Sequence, residues 1–127
     1  MAFAIVIGIT FILTTKAPTE EKRSVEVQQV KLEKTVEELI ADASLRYGID
    51  HAKFLATAQC ESSLRSNVIG GDDGNSVGLF QIHLPSHPEV SMENALDPIW
   101  AVEWAAKKFK IDPTIWVCYN KLYGIQK

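Results

Sequence analysis

Hydrophobic and polar positions divide the chain into a leading apolar run, a polar stretch and a longer segment of helical periodicity. Residues 2–15 (AFAIVIGITFILTT) carry no charge, and Lys16 follows at once. Residues 1–16 therefore read as an export signal or membrane anchor, although the run falls short of the roughly 20 residues of a full span and has no positive region before it. A buried core element is the competing reading. Residues 17–34 carry interspersed charges and too few large apolar side chains for a core of their own, so they read as a polar linker with helical potential.

The folded domain is expected over 35–127. Leu32, Val36, Leu39, Ile40 and Ala43 recur at helical spacing, and the pattern ends at Tyr47-Gly48, where glycine suits a left-handed cap. Asp50 is a good N-cap for a second helix, in which Phe54, Ala58 and Glu61 share one face, with Leu64 a further turn along. The run Gly70-Gly71-Asp72-Asp73-Gly74-Asn75-Ser76 must be a loop, and Val77 to Ile82 fits a turn or small hairpin. Asp97-Pro98 and Asp112-Pro113 each set a capping side chain before a proline suited to the first helical position. Ile99, Val102, Ala106 and Phe109 form a stripe of the first of these helices, with Trp100 and Trp104 alongside; Trp116, Tyr119 and Tyr123 mark the last. The domain is predicted to be mainly α.

Composition narrows the function more than the fold. With 127 residues, 46% hydrophobic and 23% charged, the chain suits one compact domain. A net charge of -3 supplies no basic field for phosphates, which argues against a nucleic-acid partner.

The chemical candidate is Glu61. A carboxylate on a core-facing stripe is costly as an anion, so burial raises its pKa and makes it a proton donor near neutrality. Glycoside cleavage needs such a donor, because the leaving oxygen must be protonated as it departs. An ordinary ion pair with Arg65, four residues on, is the competing reading, and spacing alone leaves it open.

Four motifs occur in order: Tyr47-Gly48-Ile49-Asp50, Cys60-Glu61-Ser62-Ser63-Leu64, Gly78-Leu79-Phe80-Gln81-Ile82 and Tyr119-Asn120. From about Val36 to Tyr123 the chain resembles the soluble lytic transglycosylase and goose-type lysozyme family, in particular its compact variants with a Cys before the Glu and another before the Tyr. The resemblance implies a lysozyme-like fold with a small loop or hairpin region beside the catalytic helix. It also implies action on peptidoglycan glycan strands in the cell envelope, outside the cytoplasmic membrane, by a monomer with no cofactor or metal. Glu61 would be the single acid/base, assisted by the substrate's own acetamido group, an exception to the two-carboxylate scheme. Ser76 would orient that acetamido group. Gln81, with its neighbour Ile82, would contact sugar, as would His83. Tyr119 would hydrogen-bond Glu61, and Asn120 would hold the glycine-rich loop against the last helix. Asp72 or Asp73 could occupy the place of the second carboxylate of goose-type hydrolases, although a loop favours acids for turn formation as well.

If Tyr119 touches Glu61, Cys60 and Cys118 lie close enough to bond, and a disulfide between them is expected. Two free thiols would be the reading for a cytosolic chain. His83 and His87 stand four apart, but Pro85 and Pro88 make a helical metal pair implausible, and the stretch is better placed at the cleft edge. The tryptophans are expected to be mostly core. Hydrolysis of the same bond and a non-catalytic glycan-binding module are the alternative functions.

Overall fold

The computed structural model describes residues 34–124. The expected anchor and all but the last residue of the expected linker lie outside the described residues. Within them run five α-helices, two short strands and two 3-10 turns.

Helix α1 (Val36–Tyr47) opens on Thr35, whose hydroxyl accepts from the Glu38 N–H while the Glu38 carboxylate accepts from the Thr35 N–H. This reciprocal cap contributes about 1 kcal/mol; Leu32, expected on the same stripe, lies outside the described residues. Gly48 closes α1 at φ 64, as its left-handed role requires. Helix α2 (His51–Ser62) is capped by Asp50, which accepts from the Lys53 N–H. Leu64 does not continue its stripe, because Ser63 and Leu64 both adopt positive φ, 55° and 60°.

Strands β1 (Ser76–Val77) and β2 (Ile82–His83) pair antiparallel, Ser76 opposite His83 and Val77 opposite Ile82. This is the small hairpin expected for the apolar segment. A 3-10 turn (Leu84–Ser86) leads to α3 (Met92–Leu96), capped by Ser91. Asp97 then accepts from the N–H groups of Ile99 and Trp100 to start α4 (Pro98–Ile111). Ala101, Val102, Ala105, Ala106 and Phe109 form its buried stripe; Ile99, expected there, is 37% exposed because it falls on the outer face. Asp112-Pro113 opens a 3-10 turn (Pro113–Ile115) and not the last helix, which begins only after Trp116 as α5 (Val117–Tyr123).

Helix α1 packs on α2 and α4, and α2 on α5. Their shared interior is aromatic: Phe54 stacks on Phe80 at 4.8 Å and meets Phe109 at 5.0 Å, while Trp116 sets its edge against Phe80 at 6.0 Å. No helix among the described residues is long and apolar enough to cross a membrane.

Candidate active site

Phe54 and Ala58 anchor α2 in the core, and Glu61, on the same stripe in the last turn of the helix, is half-buried. The helix stops one residue later. Ser62 turns its hydroxyl back to the Ala58 carbonyl (3.1 Å), and the left-handed pair Ser63 and Leu64 redirects the chain. Each such non-glycine residue costs about 1–2 kcal/mol of local strain, which the surrounding packing must offset. Glu61 Oε1 accepts a hydrogen bond from the Cys118 peptide N–H at 3.1 Å. Burial raises the Glu61 pKa above its ordinary 4.5, and the Cys118 N–H partly opposes the rise by favouring the anion. Neither cause is a charged neighbour. Arg65 directs its Nε to the Ser62 carbonyl at 3.2 Å, so the ion pair that spacing left open does not form.

Across a cleft of about 440 Å³, Glu61 is faced by the glycine-rich loop and the hairpin, including Asp72, Ser76, Gln81 and His83. Asp72 accepts both the Ser76 hydroxyl (2.7 Å) and the Ser76 N–H (3.0 Å), and these bonds hold its carboxyl below the usual range. With its proton committed to Asp72, the Ser76 hydroxyl offers a ligand only acceptor lone pairs, the polarity an amide N–H needs. Gln81 sits at φ 46 and donates from Nε2 to the carbonyls of Gly78 (3.0 Å) and Val68 (3.2 Å). Its Oε1 approaches Gly70 so closely that a Cβ there would lie 2.7 Å away. His83 shares a 2.7 Å hydrogen bond with Ser86 through Nδ1. The remaining wall is Ile115, Trp116 and Val117.

Three expected roles change. Ile82 is only 2% exposed and belongs to the core, because the strand alternation that turns His83 outward turns Ile82 inward. The bond expected from Tyr119 to Glu61 is made one residue earlier by the Cys118 backbone; Tyr119 instead packs between Phe109 and Tyr123, each at 5.4 Å. Asn120 donates to the Thr114 carbonyl (2.6 Å), tying α5 to the turn before it and not to the glycine-rich loop. Trp116, 5% exposed, donates its indole N–H to the Phe80 carbonyl (3.1 Å) and backs the cleft. Trp100 and Trp104 line a separate groove. Sequence reading missed the Cys118 N–H altogether, since no side chain announces it.

Cys60 and Cys118 form a disulfide with Cα atoms 5.8 Å apart, joining α2 to α5 beside Glu61. Closing the loop of 58 residues contributes about 4 kcal/mol in the chain-entropy picture. Among the described residues no cluster of three His, Cys, Asp or Glu side chains could hold a metal.

With the helix-borne acid, the hairpin and the cleft in place, comparison with known families is decisive: residues 38–114 match the transglycosylase SLT domain. The chain belongs to the SLT transglycosylase family. The mainly α architecture with its two-stranded hairpin is that family's lysozyme-like fold, and membership makes this a peptidoglycan transglycosylase domain of the cell envelope at the family level. The match ends before α5, so Cys118 and its hydrogen bond lie outside it. No curated protein and no solved structure matches the chain.

Proposed function

We propose that this SLT domain cleaves the β-1,4 bond between N-acetylmuramic acid and N-acetylglucosamine, with Glu61 as the single acid/base. The carrying observation is a half-buried carboxyl, raised in pKa, that lines the cleft with one backbone hydrogen bond and no charged partner among the described residues. Glu61 gives its proton to the glycosidic oxygen as the C1–O bond breaks, while the acetamido oxygen bonds to C1. The muramic acid O6 then displaces it, closing C1–O6 and returning its proton to Glu61. Water is not consumed. Ser76 accepts the acetamido N–H, Gln81 and His83 contact sugar, and the hydrolytic alternative would use the same groups with water in place of O6.

Two measurements test this. Glu61→Gln should reduce release of soluble fragments from purified sacculi by roughly 10²–10⁴-fold, and the products of the parent enzyme should end in anhydro-muramic acid. Reducing ends in their place would establish hydrolysis. A Gln variant as active as an active parent would overturn the assignment of Glu61, whereas a parent that releases no fragments would leave the non-catalytic glycan-binding reading.

A further inference from the structure

A disulfide and an acid are adjacent in this chain on both sides of one contact. Cys60 immediately precedes Glu61 on α2, and its partner Cys118 supplies, from the first turn of α5, the peptide N–H that meets Glu61 Oε1 at 3.1 Å. The covalent link therefore spans the same gap as the hydrogen bond. The Cys118 N–H lies in the first turn of α5, where amides have no partner within their helix, so it is free to serve the carboxyl.

We infer that the Cys60–Cys118 bond is a positioning device for the acid: it seats the Cys118 N–H on Oε1 and thereby assigns the transferable proton to Oε2. The inference rests on the acid/base role proposed for Glu61. In a neutral carboxyl the carbonyl oxygen is the better acceptor, so the oxygen that accepts the N–H is the carbonyl and the other carries the hydrogen. Oε2 has no hydrogen-bond partner among the described residues and belongs to a carboxyl that lines the cleft. After the proton leaves, the same N–H stabilises the anion, and the proton taken from the attacking hydroxyl returns to Oε2. Without the link, α5 can move from α2, the bond to Oε1 is lost, and neither oxygen is preferred.

The titratable groups facing Glu61 across the cleft are Asp72 in the glycine-rich loop and His83 on β2; Ile115, Trp116 and Val117 bring none from the α5 side. A shift in the pH dependence of turnover on breaking the link is therefore assigned to the Cys118 N–H, because those two groups are untouched by it.

The test compares the full chain with its Cys60→Ser/Cys118→Ser variant, which keeps the peptide N–H but not the link. Fragment release from sacculi is followed against pH, well below the variant's own Tm. The variant should turn over about tenfold more slowly, short of the roughly 10²–10⁴-fold loss on removing the acid. Its alkaline limb should move to higher pH, since a hydrogen bond favouring the carboxylate has gone. Dithiothreitol, which supplies the two electrons and two protons that convert the bond to thiols, should reproduce the shift in the parent, and reoxidation should reverse it. Cys60 is exposed and open to the reagent. Separately, the Cys118 amide proton resonance should follow Glu61 ionisation in the parent and stop titrating in Glu61→Gln. A uniform loss of rate with an unmoved alkaline limb would reduce the link to ordinary stabilisation and overturn the inference, as would a Cys118 amide indifferent to Glu61. Either result leaves the acid role standing if Glu61→Gln is inactive; an active Glu61→Gln removes that role itself.

Discussion

The helices behind Glu61 and the segment in front of it are built on different terms. Helices α1, α2 and α4 follow their apolar periodicity, open on Thr35, Asp50 and Asp97, and use one left-handed residue, Gly48, to stop α1. The other six positive-φ residues described, Ser63, Leu64, Asp73, Gly74, Gly78 and Gln81, all fall between α2 and β2. There the backbone is held by individual bonds: Gly70 N–H to the Ser76 carbonyl at 2.7 Å, Gly78 N–H to the Val68 carbonyl at 2.8 Å, and the Gln81 amide to two carbonyls. The difference teaches that the helical frame carries stability in many interchangeable contacts, while the cleft wall carries shape in a few that have no substitute.

Four substitutions bear on that contrast. The largest effect is expected at the junction, where Glu61→Gln should abolish most activity yet stabilise the fold. Because the Glu61 pKa is raised above 4.5, its contribution to stability is fully present below that value and is lost as pH rises through the folded-state pKa. The Gln variant should thus show a higher Tm than the parent at neutral pH and no advantage below about pH 4, measured by thermal melts across pH. Gly78→Ala comes next. Its Cβ would lie 1.9 Å from the Ala95 carbonyl oxygen at a backbone φ of 81, so a loss of about 3 kcal/mol or more is expected in denaturant titration.

Ser76→Ala should leave stability nearly unchanged while lowering turnover about tenfold, the worth of one lost hydrogen bond to a bound ligand. Steady-state rates on sacculi decide it, and an undiminished rate would remove Ser76 from the site. Least is expected of Asp50→Ala, which removes one of several caps in the frame and should cost about 1 kcal/mol with activity retained. If Asp50→Ala proved more damaging than Gly78→Ala, the contrast between a redundant frame and an irreplaceable wall would fail.

Much of the frame was legible beforehand. Asp50, Asp97 and Gly48 stand where their local chemistry requires, and local chemistry acts within a turn of the chain. The signals passed over were also local: Thr35 with Glu38 three residues on, and Ser91 before α3. Leu64 and Asp112-Pro113 misled because periodicity and capping cannot register a left-handed turn or a 3-10 stop imposed by packing. In the site, Glu61, Ser76 and Gln81 were found by motif and His83 by its place directly after the hairpin motif, and all four line one cleft. Ile82 was placed at the cleft and is buried in the core, while Tyr119 and Asn120 were assigned partners other than those they have.

By itself the sequence determined helices α1, α2 and α4, the hairpin and the carboxyl proposed as the acid, because each is written in side chains a few positions apart. Tertiary structure decided what touches the acid. Glu61 and Cys118 are 57 positions apart, and the group that meets the carboxylate is a peptide N–H common to every residue but proline. Only the packing of α5 on α2 selects which of those N–H groups arrives, and the disulfide beside it holds the selection in place.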